Sequence, residues 1–311
     1  MTRGATEPDA TEPDATEPDA TEAATATAST ATAAASTAFA PGHVTAFFSV
    51  HRADPAAAEG SRGAGIALSD GVTARVTPAD GGEPEIHLNG ARATIESVRR
   101  VLDALDVDAR VGLETPLPLG AGFGVSGAAA LATALAANHR FECARRENDL
   151  VRIAHEAEVE AGTGLGDVVA QARGGVPIRL EPGAPGYGSL DGIPDRRRVE
   201  YVAFGELSTP EVLSGGTETL SAAGERALTA VLREPTLETL FAEGRQFARE
   251  AGVSTPEVAE AIDAVADAGG EASMAMLGRS VFALGTGLSD AGYDPSVCRT
   301  HPAGATLSPR E

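Results

Sequence analysis

The stretch Pro118-Leu-Gly-Ala-Gly-Phe-Gly-Val-Ser-Gly-Ala-Ala-Ala130 joins alternating glycines to the start of a helix of small residues. Gly120, Gly122 and Gly124 allow backbone N–H groups to turn towards one ligand. The helix that follows directs its positive end at the same space. Ser126, at the start of that helix, is suited to bind a metal ion or a phosphate. The stretch therefore predicts an anion site that holds phosphate groups.

Other interpretations of this stretch are weaker. Gly122-x-Gly124-x-x-Gly127 formally matches the dinucleotide fingerprint. However, two prolines, Pro116 and Pro118, interrupt the strand that should lead into it, and no second strand ending in an acid follows. The chain contains no Lys at all, which excludes a Walker-A loop. A purely structural glycine-rich loop, with Ser126 as a helix N-cap, remains open.

A second informative stretch runs from Ala154 to Asp167. Three acids, Glu156, Glu158 and Glu160, lie near the end of a predicted helix, where the helix dipole disfavours negative charge. This placement indicates that one carboxylate holds a cation, although a solvated acidic face is the alternative for Glu156 and Glu160. Asp167 follows a loop with three alternate glycines and is a candidate for chemistry.

The composition limits the classes of partner. The 311 residues include 45 Asp and Glu against 24 Arg, which gives a net charge of −21. Such a negative field repels nucleic acid and anionic membranes, so neither is expected as a partner. No apolar run reaches the length of a membrane helix. Two cysteines cannot form a disulfide framework, so we expect a reduced cytoplasm.

The absence of Lys together with the acidity favours a salt-rich, haloarchaeal cytoplasm, because molar salt screens self-repulsion. Codon bias in a high-GC genome is the alternative, and it would explain the missing Lys but not the excess of acids.

Residues 1–38 differ from the rest of the chain. They repeat Ala-Thr-Glu-Pro-Asp three times and continue as an Ala/Thr/Ser tract without a large apolar residue after Met1. This composition predicts a disordered, acidic, low-complexity tail. It is not expected to be a signal peptide, because its start is acidic and no apolar segment follows.

Strand and helix patterns after residue 38 predict an α+β fold. Strands are indicated at Ala64–Leu68 and Val72–Thr77, joined by a turn at Ser69–Gly71, and further strands at Ala109–Glu114 and Arg198–Phe204. Helices are indicated at residues 94–105 and 147–160, and three more near residues 218–232, 236–250 and 255–267. Strands group with strands and helices with helices, which favours two lobes over strict βαβ alternation.

These motifs resemble those of the GHMP kinases. The glycine stretch resembles their phosphate loop, Phe39-Ala-Pro-Gly-His43 their opening motif, and Gly269–Gly278 a degenerate form of their C-terminal glycine-rich motif. The resemblance implies a two-lobed fold with the site in the cleft between the lobes. Residues 39–190 would form a lobe like domain 2 of ribosomal protein S5, and residues 191–311 a ferredoxin-like lobe.

Within this family the chain most resembles the archaeal branch that phosphorylates pantoate, through Ala40–Phe48, Gly60–Gly65, Gly162–Val168 and Ala272–Gly278. The resemblance implies that ATP and Mg²⁺ are used. It assigns the metal to Ser126 and Glu158 and the catalytic role to Asp167. It assigns the nucleotide to a set of loop residues: Pro118, Gly120, Gly122, Phe123, Gly124, Val125, Ser126 and Gly127.

A substrate carboxylate in so acidic a protein needs a local cation. Arg179, on a predicted strand just beyond Gly174-Gly175, can bind a carboxylate with two parallel hydrogen bonds, and Arg173 is its rival. Ser61 and His155 are further candidates for substrate contact.

Two positions depart from the family pattern. His43, which is also a candidate for substrate contact, stands where the family's opening motif has Lys, and Val125 replaces the first Ser of the phosphate loop. The open alternatives are another small-alcohol kinase, of the homoserine or mevalonate type, and a non-catalytic ligand sensor. A homodimer is left open.

Overall fold

Two long antiparallel strands, β1 (Ser36–His51) and β2 (Gly60–Pro78), organise the fold. The computed structural model describes residues 35–79, 81, 84–205 and 217–308. The pairing of β1 with β2 shifts at one point, because Pro41 pairs with Gly71 but Gly42 pairs with Leu68. The predicted turn at Ser69–Gly71 is therefore wrong: these residues form a bulge inside one continuous strand.

The larger sheet is built outward from this pair. Its order is β12-β1-β2-β5-β3-β4, with β6 added to β2 and β7 added to β6. All of the described pairings are antiparallel except that of β3 with β5. The added strands are β3 (Glu85–Leu88), β4 (Ala91–Arg92), β5 (Ala109–Glu114), β6 (Val176–Glu181), β7 (Ser189–Ile193) and β12 (Thr306–Leu307).

Four helices share a core with this sheet. Apolar residues of α1 repeat at helical spacing, and the alanines of α2 allow close packing against the strands and against the neighbouring helices. The helices are α1 (Glu96–Leu105), α2 (Val125–Arg140), α3 (Glu147–Ala161) and α4 (Asp167–Arg173). The short helix α4 matters for function, because it begins at Asp167, which the sequence placed in a loop.

The second sheet has four strands in the order β11-β8-β10-β9. In the described part of this lobe, the order along the chain is β8, three helices, β9, β10, a short helix and β11. This is the ferredoxin-like arrangement expected here. The elements are β8 (Arg198–Gly205), α5 (Glu218–Arg233), α6 (Leu237–Glu250), α7 (Pro256–Asp267), β9 (Ala272–Ala275), β10 (Arg279–Leu284), α8 (Gly287–Asp290) and β11 (Ser296–Arg299).

The predicted α+β fold with two sheet-based lobes is confirmed, but its boundaries differ from the prediction. Strand β1 begins at Ser36 rather than Phe39; of the predicted tail, residues 1–34 lie outside the described residues. The boundary at residue 190 falls inside β7, which is hydrogen-bonded to β6 of the larger sheet. The predicted second lobe extends to residue 311, but β12 pairs with β1 and so belongs to the larger sheet. Within the part of the chain that is described, no helix has the length and apolarity to cross a bilayer.

Residues of β1 and β2 enter both cores. Ala38, Ala40 and Val72 lie in the core with α1–α4, whereas Phe47 and Ile66 lie in the core with the second sheet and α5–α7. The two lobes are therefore built on the same pair of strands, and the cleft between them opens beside that pair.

Candidate active site

The glycine loop precedes α2 and has the backbone that the sequence predicted. Gly120, Gly122 and Gly124 all have positive φ angles, of 66°, 88° and 62°. Gly124 is the N-cap of α2, and no side chain caps this end of the helix. The first N–H groups of α2 therefore remain available to an anion, and the helix dipole adds to their attraction.

The turn between β9 and β10 holds this loop from the second lobe. A Cβ atom on Gly122 would lie 3.0 Å from the carbonyl oxygens of Ala275 and Met276. Ser280 Oγ donates a hydrogen bond of 2.8 Å to the Ala121 carbonyl. Contacts this close explain why glycine is required here, and they fix the loop against the opposite lobe.

Glu158 is buried at the end of α3 next to the start of α2. Ser126 Oγ donates a hydrogen bond of 2.5 Å to its Oε1, and Thr163 Oγ1 donates one of 2.8 Å to the same atom. Burial raises the pKa of Glu158, and the hydroxyl hydrogen bonds offset this rise only in part. None of the ion pairs formed by the described residues includes Glu158.

A buried carboxylate with hydroxyl partners and no cation fits a hard divalent ion. Ser126 and Glu158 supply two oxygen ligands, and Mg²⁺ usually takes few protein ligands beside phosphate oxygens. Among the residues that the structure describes, no group of three or more His, Cys, Asp or Glu side chains could hold a metal by itself. A metal ion at Glu158 would therefore need further oxygen ligands, from water or from phosphate groups.

Asp167 lies at the first position of α4, with its side chain 27% exposed. Its Oδ1 lies 2.7 Å from Nδ1 of His43, which is fully buried. Burial by itself would raise the pKa of Asp167, but the hydrogen bond from His43 and the nearby charge of Arg179 outweigh it, so the pKa is lowered. Asp167 is therefore an ionised carboxylate at neutral pH.

His43 connects the glycine loop to Asp167. Burial lowers the pKa of His43 despite its contact with Asp167, so the ring is a neutral donor through Nδ1. Its backbone N–H donates a 3.0 Å hydrogen bond to the carbonyl of Phe123 in the glycine loop. His43 is not among the residues that line the cleft. The prediction that it contacts substrate therefore differs from the structure, in which it positions Asp167.

Arg179 is a buried cation beside Asp167. Its side chain is 2% exposed, and its Nε and Nη1 atoms have no hydrogen-bond partner among the described residues. Burial lowers the pKa of Arg179 to about 10, although the charge of Asp167 opposes this shift. A Cβ on Gly166 would overlap Ser61 Oγ and lie 2.7 Å from Arg179 Nε, so this glycine makes room for both.

These residues surround one cleft of about 800 Å³, including its open mouth. Arg179 is the one cationic side chain among the described residues that line it, whereas Glu158 and Asp167 bring two carboxylates. The cleft thus brings together backbone N–H groups of α2 that suit a phosphate and two oxygen ligands that suit a metal ion. It also contains an ionised carboxylate and a cation whose donors have no partner among the described residues.

Most of the predicted site residues line this cleft, but some do not. Those that do are Ser61, Gly120, Gly122, Phe123, Gly124, Val125, Ser126, Glu158, Asp167 and Arg179. His155 is buried in α3 and its Nε2 is bonded to the Glu59 carbonyl at 2.8 Å, so the geometry does not support its predicted contact with substrate. Pro118 and Gly127 lie outside the lining, and Gly127 packs against α4 instead.

The structure also distinguishes between the alternative side chains that the sequence offered for one role. Arg173 donates to the carbonyl of Gly174 and does not line the cleft, so of the two arginines only Arg179 could reach a carboxylate bound there. Glu160 is exposed and paired with Arg100, and Glu156 also lies outside the cleft lining. Only Glu158 of the three acids is placed to reach a metal ion.

Two contributors escaped the sequence analysis. Thr163 bonds Glu158, and its place between two glycines of the loop after α3 was the available signal. Gln171 is buried and donates a 2.7 Å hydrogen bond to the Gly124 carbonyl. It lies one helical turn after Asp167, so it ties the N-cap of α2 to the helix that carries the carboxylate.

Comparison with known proteins agrees with this geometry. The N-terminal domain of GHMP kinases matches residues 89–175. The chain is 37% identical to a pantoate kinase of Thermococcus kodakarensis, over 79% of this chain and 86% of that protein. It is 32% identical to a pantoate kinase of Methanocaldococcus jannaschii, over 79% and 91%.

A solved structure described as a phosphotransferase related to the CoA biosynthesis pathway superimposes with a TM-score of 0.79. It is 29% identical to this chain and covers 88% of it, and 98% of that structure is matched.

Proposed function

Because the chain belongs to the GHMP kinases, and within them to the pantoate kinases, we propose that its cleft phosphorylates pantoate with ATP. The product is 4-phosphopantoate, an intermediate on the archaeal route to coenzyme A. The observation that carries the substrate assignment is Arg179, a buried cation with two free donors beside the ionised Asp167. Pantoate is a short 4-hydroxy acid, so one molecule can place its carboxylate on Arg179 and its terminal hydroxyl at Asp167.

Phosphate binding rests on backbone rather than on side-chain cations. The glycine loop and the first N–H groups of α2 face the cleft, and none of the described lining residues in that loop is basic. The α2 dipole supplies positive potential for the nucleotide phosphates. Ser126 and Glu158 would hold Mg²⁺, which when bound neutralises charge on the transferred phosphoryl group.

Asp167 acts on the substrate hydroxyl. Its carboxylate accepts a hydrogen bond from that hydroxyl, orients the oxygen towards the γ-phosphorus and takes its proton as the new bond forms. The bond between the γ-phosphorus and the bridging oxygen breaks at the same time, and its electron pair leaves with ADP. His43 and Gln171 hold this carboxylate and the glycine loop in one fixed arrangement.

Arg179 and Ser61 hold the other end of the substrate. The planar guanidinium matches a carboxylate with parallel hydrogen bonds, and binding of an anion relieves the cost of its buried charge. Ser61 Oγ lies beside Gly166, next to Arg179. It would form a hydrogen bond with the second hydroxyl or the carboxylate of the substrate. Orientation of this kind fixes which of the two hydroxyl groups reaches Asp167.

The test is release of ADP with a panel of alcohols. We expect turnover with D-pantoate that requires Mg²⁺, and far slower turnover with homoserine or mevalonate, measured by coupled ADP release at 0.1 and about 2 M KCl. Asp167→Asn serves as the inactive control on the same fold. Preference for another alcohol would refute the assignment of pantoate, and absence of turnover with every alcohol would favour the ligand sensor.

A further inference from the structure

The apolar part of the cleft has no role in the mechanism above. Phe48 of β1 lines the cleft together with Met276 and Leu277, which lie in the turn between β9 and β10. Phe48 and Met276 are each 4% exposed, so the small accessible part of each side chain faces the cleft. Phe48 and the consecutive pair Met276 and Leu277 are far apart in sequence and meet at the cleft.

Phe48 lies at the same level of the sheet as Arg179. Phe48 pairs with Gly63 of β2, and Gly63 pairs with Arg179 of β6. Neighbouring strands are about 4.8 Å apart, so the backbones of Phe48 and Arg179 are separated by about 10 Å. The residue between them is glycine, and a Cβ there would overlap the Phe47 carbonyl. Gly63 itself is buried, but Phe48 and Arg179 both line the cleft, and the distance between them is about the length of a small hydroxy acid.

Leu277 is held in a conformation that favours glycine. Its φ angle is 64°, in the left-handed region, where a large side chain is uncommon and costs free energy. The turn is fixed on both sides, because Met276 N–H donates a 2.9 Å hydrogen bond to the Thr45 carbonyl and Gly278 packs on Ala121. Its side chain packs in part on the apolar core and also lines the cleft, where a ligand can contact it.

We propose that Phe48, Met276 and Leu277 form an apolar wall that selects a substrate with a dimethyl-substituted carbon beside the reacting CH₂OH group. This inference rests on the proposed function. Pantoate carries two methyl groups on the carbon between its two hydroxyl-bearing carbons. With the carboxylate on Arg179 and the terminal hydroxyl at Asp167, that carbon lies between these two groups and its methyl groups meet the wall.

Burial of methyl groups gives a measurable preference. One methylene in an apolar pocket changes kcat/KM by about 10–200-fold. The appropriate comparison is pantoate against 2,4-dihydroxybutanoate, which has the same carboxylate and hydroxyl groups but lacks both methyl groups. We expect the wild-type protein to prefer pantoate by about 100-fold or more in kcat/KM.

Two variants test the wall through the ratio of these kcat/KM values. Phe48→Ala should lower the ratio at least tenfold, whereas Phe48→Leu, which keeps an apolar side chain, should stay within about threefold of the wild type. Leu277→Gly removes the second side chain and suits the positive φ angle, so it should fold even if Phe48→Ala does not. It should also lower the ratio, by at least threefold. Any loss of folded protein cancels, because both substrates are measured on one sample.

The outcomes separate this inference from the proposed function. A ratio within twofold of the wild type in both Phe48→Ala and Leu277→Gly would overturn the wall and leave the pantoate kinase activity standing. The same holds if the wild-type protein uses both acids equally well. If the wild-type protein phosphorylates neither acid, the proposed function itself fails, and the wall fails with it.

Discussion

Replacement of Arg179 by Met should make the protein more stable and much less active. Arg179 is 2% exposed, and burial lowers its pKa from 12.5 to about 10. Each pKa unit corresponds to about 1.4 kcal/mol, so holding this charge in the free protein costs about 3 kcal/mol. Met has a similar length and no charge. The pKa of about 10 already includes the attraction to Asp167, and we expect the free energy of unfolding to rise by about 1–3 kcal/mol.

The same substitution should abolish recognition of the acid. Removing one partner of a buried charge pair costs about 2–5 kcal/mol, which corresponds to a fall of about 10²–10³-fold in kcat/KM for pantoate. The KM for ATP should stay within about threefold of the wild type, because Arg179 holds the substrate and not the nucleotide.

Both effects are tested at a single KCl concentration, the stability by thermal melting without ligand and the activity by steady-state kinetics. For a chain of this size the expected rise in Tm is about 2–10 °C. The matched control is Arg62→Met, because Arg62 pairs with Glu225 at 2.6 Å and lies outside the cleft lining. That variant should melt no higher than the wild type and should keep its kcat/KM. A lower Tm for Arg179→Met with an unchanged pantoate KM would refute the reasoning.

Further predictions concern the carboxylates, the salt and the tail. Asp167→Asn should lower kcat by about 10²–10⁴-fold with near-normal ATP binding by calorimetry, and wild-type turnover would contradict the assignment. The pKa of Glu158 is raised, so activity should fall as the pH drops through that raised pKa. A higher Mg²⁺ concentration should shift this fall to lower pH, because the metal ion and the proton compete for the carboxylate. Asp167, whose pKa is lowered, stays ionised in this pH range. If the fall of activity at low pH does not shift with Mg²⁺ concentration, protonation of Glu158 is not its cause. Tm should rise steeply between dilute buffer and about 2 M KCl, and equal midpoints would favour codon bias over adaptation to salt. A chain that starts at Ala35, one residue before β1, should keep its kcat, and a loss above about tenfold would place residues 1–34 in the reaction.

Local chemistry explains why the phosphate loop could be predicted. Alternating glycines before a helix of small residues have few backbone options, and the positive φ angles of Gly120, Gly122 and Gly124 are those that the pattern requires. Helices with apolar residues at regular spacing were likewise predicted within a few residues, as for α1 and α7. The bulge in β2 was mistaken for a turn, because Ser69-Asp70-Gly71 has the composition of both and only the pairing with β1 distinguishes them.

Long-range packing decided the roles of the two histidines and the choice of anchor. His43 and Asp167 are 124 residues apart, so no local pattern shows that one is bonded to the other. His155 lies one turn from Glu158 on the same helix, yet its ring faces the Glu59 carbonyl. Its environment depends on the chain that packs over α3. The sequence favoured Arg179 and kept Arg173 as its rival, and the pairing of β6 with β2 shows that Arg179 is the one in the cleft.

The residue types that phosphoryl transfer needs can be recognised from local sequence: a glycine loop, a hydroxyl and a carboxylate for a metal ion, an ionisable acid and an arginine. These are local properties, because backbone freedom and side-chain chemistry belong to each residue. The tertiary structure decided which of them share one cleft and in which protonation state. Burial raises the pKa of Glu158 and lowers that of Arg179, and the contact with His43 helps keep Asp167 ionised. Desolvation and charge interaction depend on distances between residues remote in sequence, and those distances exist only after both lobes have packed on β1 and β2.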